Sequence, residues 1–159
     1  MKNTHLAVKV IGMVLVAAVV VGVGVFIVPK LPVYKQYKAS EVESRLTESF
    51  ELAAEQINSL VPKMIDNDTR LDKATVGPGP RLTYHYTLPN RKSGEVDADL
   101  MQSILKSDIA AKVCSNEEMK NALQYGGIYS YSYSGNDNVS ILTFDIVGQD
   151  CHPAEIAPE

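Results

Sequence analysis

Cysteine and histidine are scarce in this chain of 159 residues, which holds two cysteines and three histidines. Cys151 and His152 are adjacent, but the other histidines, His5 and His85, lie far from them in sequence. A zinc site needs a set of four such ligands at suitable spacing, and none can be assembled from these residues. We therefore expect neither a metal site nor a cofactor.

Acidic residues are absent before Glu41. A pilus-like structural subunit would need a glutamate early in an apolar helix, so this absence makes that class the remotest alternative. After position 38 the chain has 19 acidic side chains and 10 basic ones, which gives that part a charge of −9. Nucleic-acid binding needs a basic surface, so no nucleic-acid partner is expected.

The one long hydrophobic run is Val10–Val28, which is uninterrupted over 19 residues. A helix of about this length crosses the roughly 30 Å of hydrocarbon in a bilayer. We interpret residues 10–28 as a transmembrane signal anchor that follows a short tail, residues 1–9. A cleaved signal peptide is the alternative, although its apolar core is normally only about 7–15 residues long. No cysteine lies in or just after the run, which excludes a lipid-modified N-terminus.

Ala18 and Gly22 form a small-xxx-small pair within the apolar run. Such pairs allow two membrane helices to approach closely, so a homodimer through this pair is possible. Residues 29–39 contain two prolines and are predicted to form a stiff, extended linker. Because residues 10–28 are interpreted as a membrane anchor, the lipid bilayer is one expected partner of the chain.

The lysines on the two sides of the apolar run are nearly balanced, so they do not decide the orientation of the chain in the membrane. The cysteines indicate the compartment instead. A single cysteine pair in a small exported domain predicts a disulfide between Cys114 and Cys151. Two unrelated buried thiols are the alternative. With the disulfide, the prediction is a single-pass protein of the inner membrane whose C-terminal domain lies in the periplasm.

Residues 40–151 are predicted to form one small domain. "SEVE", starting at Ser40, has the pattern of a capping box, in which Glu43 reaches back to the backbone of the cap. Apolar residues then recur every three or four positions, as on one face of a helix, until Pro62. These apolar residues are Val42, Leu46, Phe50, Ala53, Ile57 and Leu60.

The rest of this domain shows two strand pairs separated by helices. "GPGP" connects two strands, and the second, "RLTYHYTL", alternates apolar and polar residues as a half-buried strand does. Asp97 and Asn116 are predicted N-caps of two helices, and "SGNDN" predicts the turn of a final hairpin. The order α-β-β-α-α-β-β predicts an α+β fold, with an antiparallel sheet of four or five strands and helices on one face. Residues 152–159 are predicted to be a disordered tail.

Catalytic signals are weak. "GPGP" cannot cradle a phosphate, because its prolines lack N–H donors and a strand follows rather than a helix. Asp66 and Asp68 faintly resemble a calcium loop, but Arg70 occupies a ligand position. A hydrolase that uses Asp66, Asp68 or His85 is the alternative to a non-enzymatic protein. The expected place of His85 is the exposed polar face of its strand.

Tyrosines are concentrated on two predicted strands. Tyr84 and Tyr86 share a face of one strand with Leu82 and Leu88, and Tyr129, Tyr131 and Tyr133 share a face of another. We expect Tyr131 to be buried and Tyr133, nearest the turn, to be partly exposed. Tyr133 and His85 are thus the candidate contacts for a partner.

The segment from Met64 to Cys151 resembles a family of bacterial membrane-anchored proteins. The marks of the resemblance are "TRLD", "GPGPRLTYHYTL", "VCSN", "YSYSYSGND" and a closing "DC", and it implies no biochemical activity. More distantly, the helix–Cys–helix–hairpin–Cys ending is similar to the α/β pilotins of type II secretion, in which a disulfide ties the helix junction to the last strand. Pilotins carry a lipid-modified N-terminal cysteine, which this chain lacks, so a role in sorting secretins to the outer membrane does not follow.

These observations predict a membrane-anchored, non-enzymatic, extracytoplasmic module of the bacterial envelope that interacts with another protein. Its expected partner is another envelope protein, and the expected role is accessory to secretion or envelope assembly.

Overall fold

The computed structural model of the protein describes residues 32–151. The chain divides into two units, 1–39 and 40–159. The sheet, the core and all the elements below belong to the second unit, except for the first residues of the first helix. Four predictions fall outside the described residues: the transmembrane helix 10–28, the Ala18–Gly22 pair, the N-terminal tail and the tail 152–159. Within the described range, no helix combines the length and the apolar character needed to cross a membrane.

The first helix, α1, spans Pro32–Asn58. It begins eight residues before Ser40, so the predictions of an extended linker over 29–39 and of a cap at Ser40 are wrong where they overlap the helix. The physical reason is that a proline at the first helical position has no N–H to lose and a backbone angle already suited to a helix. The inner face of α1 carries the buried Phe50, as the apolar periodicity predicts, and Ala54, which was not in the predicted stripe. Val42 and Leu60, at the two ends of the predicted stripe, are exposed.

The remaining elements follow the predicted order, with one short strand added. They are β1 (Lys63–Met64), β2 (Arg70–Val76), β3 (Arg81–Leu88), a 3-10 turn (Ser93–Glu95), α2 (Ala98–Ser115), α3 (Glu117–Gln124), β4 (Ile128–Gly135), β5 (Ser140–Ile146) and a final 3-10 turn (Gly148–Cys151). The five strands form one sheet in the order β1-β2-β3-β4-β5. The fold class is therefore α+β, as predicted.

The sheet is mixed, which corrects the prediction of an antiparallel sheet. β3 and β4 pair in parallel, with Tyr84 opposite Tyr131 and Tyr86 opposite Tyr133, whereas the other neighbouring strands are antiparallel. A parallel pair needs a long crossover, which α2 and α3 supply. Parallel strands read as continuous apolar runs when both of their faces are covered. Here the core lies on one face, so β3 and β4 keep an alternating pattern.

The hydrophobic core joins α1, α2 and α3 to that face of the sheet. Phe50 of α1, Val113 of α2 and Leu123 of α3 are buried in one cluster with strand residues such as Leu82 and Ile146. The opposite face carries polar side chains, including the His85 and Thr75 pair. The sequence prediction that the Leu82–Leu88 stripe faces the core is confirmed at its two ends, where both leucines are buried.

Side-chain hydrogen bonds fix the helix ends. Asp97 accepts from the N–H of Leu100, and Asn116 accepts from the N–H of Met119, so both predicted N-caps are confirmed. At the end of α1, the Asn58 amide donates to the carbonyl of Ala74 at 2.9 Å and accepts from its N–H at 2.8 Å. Asn58 thereby satisfies both backbone groups of a buried residue of β2 and ties α1 to the sheet.

Candidate docking groove

An apolar groove of about 580 Å³ lies between α2, the loop that joins β1 to β2, and the core face of the sheet. We call it the docking groove. Tyr86, Tyr131 and Tyr133 line it from the sheet. Its walls are Ile65, Asp66 and Thr69 from the loop, and Met101, Ile104, Leu105, Ile109 and Lys112 from α2.

Stacked rings make the floor of the groove. The centroids of Tyr86 and Tyr133 are 4.9 Å apart, those of Tyr84 and Tyr131 are 5.2 Å apart, and Phe144 continues the stack at 5.5 Å from Tyr131. These contacts arise because the paired residues are direct neighbours across strands. Offset stacking of this kind stabilises each pair by roughly 0.5–1.5 kcal/mol beyond area burial. The floor is therefore stabilised by stacking between its own rings.

The phenol groups give this apolar floor a polar component. Burial raises the pKa of Tyr133 to about 12, and the carboxylate of Asp66 contributes to the increase. Burial also raises the pKa of Tyr86 and Tyr131, so all three are neutral at physiological pH. Throughout residues 38–151 no buried polar side-chain atom lacks a partner, so floor hydroxyls without one are open to water. A bound segment could use them as hydrogen-bond donors or acceptors.

Large apolar side chains border the groove and are open to solvent. Ile65 and Ile104 are each 55% exposed and line its two walls. Leu100 on α2 and Met64 on β1, each one position from a wall residue, are 58% and 46% exposed. Exposed large apolar side chains around a groove are typical of a protein–protein or ligand-binding site.

A second cleft, of about 550 Å³, lies beside the final 3-10 turn and is lined by Lys120, Leu123 and Val147 among others. None of its lining residues is among the exposed large apolar side chains of the described chain. It has less apolar surface to offer a partner, so the docking groove is the stronger candidate site.

The structure separates the residues of the hydrolase alternative. Asp66 lines the groove, on the core face. His85 alternates with Tyr84 and Tyr86 along β3 and therefore points to the opposite face. Its Nε2 atom lies 2.8 Å from the hydroxyl of Thr75. Burial lowers the pKa of His85, Lys73 lowers it further, and Asp72 opposes the change. Asp66 and His85 thus cannot act on one substrate atom.

Tyr133 is 5% exposed, so the prediction that it is partly exposed is wrong. The reason is that its ring stacks on the rings of Tyr86 and Phe144, although it stands near the end of its strand. The prediction that Tyr131 is buried is confirmed, since it is 6% exposed. The partner-contact roles of Tyr133 and His85 stay predictions.

The predicted disulfide between Cys114 and Cys151 is confirmed, with Cα atoms 5.3 Å apart. It joins the C-terminal end of α2 to the final 3-10 turn. Disulfides of this kind are typical of oxidising compartments outside the cytoplasm.

Sequence reasoning missed the groove walls, Ile65 and Ile104. One signal for Ile104 was present in the sequence, since the large apolar residues of its helix cover more than half of the circumference at about 100° per residue. These residues are Leu100, Met101, Ile104, Leu105, Ile109 and Val113. A helix that packs against one neighbour needs a narrower apolar stripe. Part of the apolar surface of α2 is therefore not needed for packing within the domain. No comparable signal marks Ile65, which lies in a loop.

Solved structures share this fold. A "putative secreted protein" of Pseudomonas aeruginosa is 25% identical with a TM-score of 0.58, and the match covers 70% of this chain and 96% of that one. The pilotin EpsS of the Vibrio vulnificus type 2 secretion system is 15% identical with a TM-score of 0.58, covering 72% and 98%. The type II secretion pilotin AspS of Vibrio cholerae is 12% identical with a TM-score of 0.55, covering 70% and 97%. The domain thus has the α+β fold of these small proteins, and the predicted pilotin resemblance is confirmed at the level of the fold.

The family described as "Putative quorum-sensing-regulated virulence factor" matches residues 39–152, and the chain belongs to that family. No curated protein matches the chain. The motif pattern of a membrane-anchored family, inferred from the sequence, stays a prediction.

Proposed function

We propose that the protein is a membrane-anchored, non-enzymatic binding module of the bacterial envelope, which holds an apolar segment of another envelope protein in its docking groove. The observation that carries this proposal is the groove itself. It combines a floor of stacked tyrosines with two walls whose isoleucines are each 55% exposed. Burying such surface against a partner stabilises a complex by roughly 25 cal/mol per Å² before the costs of association.

The groove has the dimensions of a short helix. The residues of α2 that line it run from Met101 to Val113, a stretch of 13 residues that is about 20 Å long at 1.5 Å per residue. An amphipathic helix of about four turns matches this length, and grooves between a helix and other apolar elements commonly receive such helices. We infer that the partner supplies an amphipathic helix.

The disulfide supports a location outside the cytoplasm, because cytosolic thiols are kept reduced. In this proposal residues 10–28 anchor the chain in the inner membrane as a single-pass helix, and the domain 40–151 lies in the periplasm. The Ala18–Gly22 pair would be the contact of any homodimer formed through the anchor. The fold shared with two pilotins of type 2 secretion supports an accessory role in secretion or envelope assembly.

An enzyme is the less favoured alternative, because Asp66 and His85 lie on opposite faces of the sheet. Among the described residues no group of three or more His, Cys, Asp or Glu side chains is placed to hold a metal ion. The groove is lined mostly by tyrosine rings and aliphatic side chains, with Asp66 as its only carboxylate, which suits binding better than hydrolysis.

The proposal is tested by placing a charge in the groove. Ile104→Glu puts a carboxylate among apolar groups that the partner must cover, and an unpaired charge in such a contact is strongly unfavourable. Leu52→Glu is the matched control, because Leu52 is 57% exposed on α1 and does not line the groove. The measurement is co-purification of envelope proteins with each full-length variant, extracted from membranes after mild cross-linking.

We expect Ile104→Glu to lose, by about tenfold or more, an envelope protein that the unchanged chain and Leu52→Glu both retain. Both variants should keep the thermal unfolding midpoint of the unchanged chain, since both positions are exposed. Retention of every co-purifying protein by Ile104→Glu would contradict the proposed function.

A further inference from the structure

The two ends of the docking groove carry opposite charges. Asp66 lines the groove from the β1–β2 loop, and Lys112 lines it from α2. Asp68 stands two residues after Asp66, and its backbone N–H donates to the Asp66 carboxylate at 2.8 Å. Asp66 is the only acidic residue and Lys112 the only basic residue among those that line the groove. Asp68, Glu117 and Glu118 are exposed nearby but do not line it.

The order of the elements places Asp66 and Lys112 at opposite ends of the groove. The loop is held beside Asn90, whose amide donates to the carbonyl of Asn67, and Asn90 follows the end of β3. The chain then enters α2 from this same end, since Ser93 bonds Asp137 in the β4–β5 turn. Lys112 comes four turns into α2, which at 1.5 Å per residue is about 20 Å from its beginning at Ala98.

Both groups are available to a ligand. Asp66 and Lys112 are exposed, and neither makes an ion pair with another described residue. Asp108, one turn before Lys112 on α2, is exposed but does not line the groove. The apolar walls between the charges reduce the screening that each would experience on an open surface.

We propose that the docking groove selects a segment of mixed charge: an amphipathic helix with a basic side chain at the Asp66 end and an acidic side chain at the Lys112 end. This inference rests on the proposed function, since it concerns the same groove. Charge matching at the rim of an apolar contact mainly sets specificity and orientation, while the apolar surface supplies the affinity. A helix with the same charge at both ends would meet one repulsive group whichever way it lay.

Three synthetic probes test this selection. Each is a fluorescent amphipathic peptide of four helical turns with the same apolar stripe, and its two ends carry Lys and Glu, Lys and Lys, or Glu and Glu. Full-length protein in lipid nanodiscs is titrated with each peptide, and binding to empty nanodiscs is subtracted. We expect the Lys/Glu peptide to bind about threefold more tightly than either uniform peptide, with the difference shrinking at high salt.

Variants that each neutralise one charge show which residue of the groove selects the charge at each end of the peptide. Asp66→Asn keeps an acceptor for the Asp68 N–H, and in this variant the Glu/Glu peptide should bind as tightly as the Lys/Glu peptide. In Lys112→Gln the Lys/Lys peptide, instead, should bind as tightly as the Lys/Glu peptide. Asp99→Asn and Lys120→Gln, which remove charges outside the groove, are the controls and should keep the preference for mixed charge.

Equal binding of the three peptides to the unchanged chain would overturn the charge selection while leaving the apolar docking intact. An unaltered ranking in Asp66→Asn and Lys112→Gln would also overturn it. Failure of every peptide to bind above empty nanodiscs would overturn both this inference and the proposed function.

Discussion

Tyr131 and Tyr133 have nearly the same burial, although Tyr133 is two residues closer to the β4–β5 turn. Both rings stack on a β3 tyrosine and on Phe144, so truncating either one removes several ring contacts and leaves a cavity. We expect Tyr131→Ala and Tyr133→Ala each to lower the free energy of unfolding by roughly 3 kcal/mol or more. Tyr131→Phe and Tyr133→Phe are the controls and should cost far less. Urea unfolding measures all four, and a loss below about 1 kcal/mol for Tyr133→Ala would contradict its placement in the core.

His85 links stability to pH. Its pKa is lowered in the folded domain by burial and by Lys73, whereas histidine in an unfolded chain titrates near about 6.5. The unfolded state therefore takes up a proton first as the pH falls. The stability that neutral His85 contributes is present above about pH 6.5 and is lost as the pH falls through the lowered pKa.

This linkage is measured by urea unfolding at a series of pH values between roughly 7.5 and 5. We expect the unchanged chain to lose more stability across this range than His85→Gln, which cannot gain the proton. His5 and His152 are present in both proteins and cancel in the comparison. The same slope in both proteins would show that His85 has an ordinary pKa.

At the scale of elements, the sequence predicted the start of a helix correctly where a single N-cap residue determines it. Asp97 and Asn116 were recognisable as N-caps because their side chains bond backbone groups only three residues away. Ser40 has the same type of signal, yet α1 passes through it, since preceding residues already continue the helix. A cap pattern shows where a helix can start, and it does not show that an earlier start is blocked.

Strand pairing depends on residues distant in sequence, and here prediction failed in part. Tyr84 and Tyr131 are 47 positions apart and are partners in a parallel pair. Their alternating strands have the same pattern that an antiparallel sheet would have, because only one face of each is in the core. The choice between the two pairings is made by the path of α2 and α3, which periodicity alone does not reveal.

The disulfide is the covalent tie between elements. It closes a separation of 37 residues and holds the final 3-10 turn against the end of α2. Chain-entropy reasoning gives roughly 4 kcal/mol for a loop of this length. We expect the joint variant Cys114→Ser and Cys151→Ser to lose about this much unfolding free energy relative to the oxidised protein. Reduced unchanged protein is the control and should resemble the variant, while a loss under about 1 kcal/mol would contradict a stabilising role.

At the scale of the whole molecule, the docking groove brings together three parts of the chain. Ile65 comes from a loop, Ile104 from a helix and Tyr133 from a strand, and no spacing in the sequence relates them. The sequence nevertheless predicted the cysteine pair, the fold class and the tyrosine-rich strands from which the groove is built. What it could not show is that α2 and the β1–β2 loop leave a space above those tyrosines.

Docking of a partner segment in that space is tested most directly by site-specific photocross-linking in living cells. A photoreactive amino acid replaces Ile104 in the full-length protein and, in a separate strain, replaces Leu52, which is equally exposed but outside the groove. We expect irradiation to join position 104 to one envelope protein through an amphipathic segment of that protein, with no such product from position 52. The absence of a product at position 104, or the same product from both positions, would contradict docking in the groove.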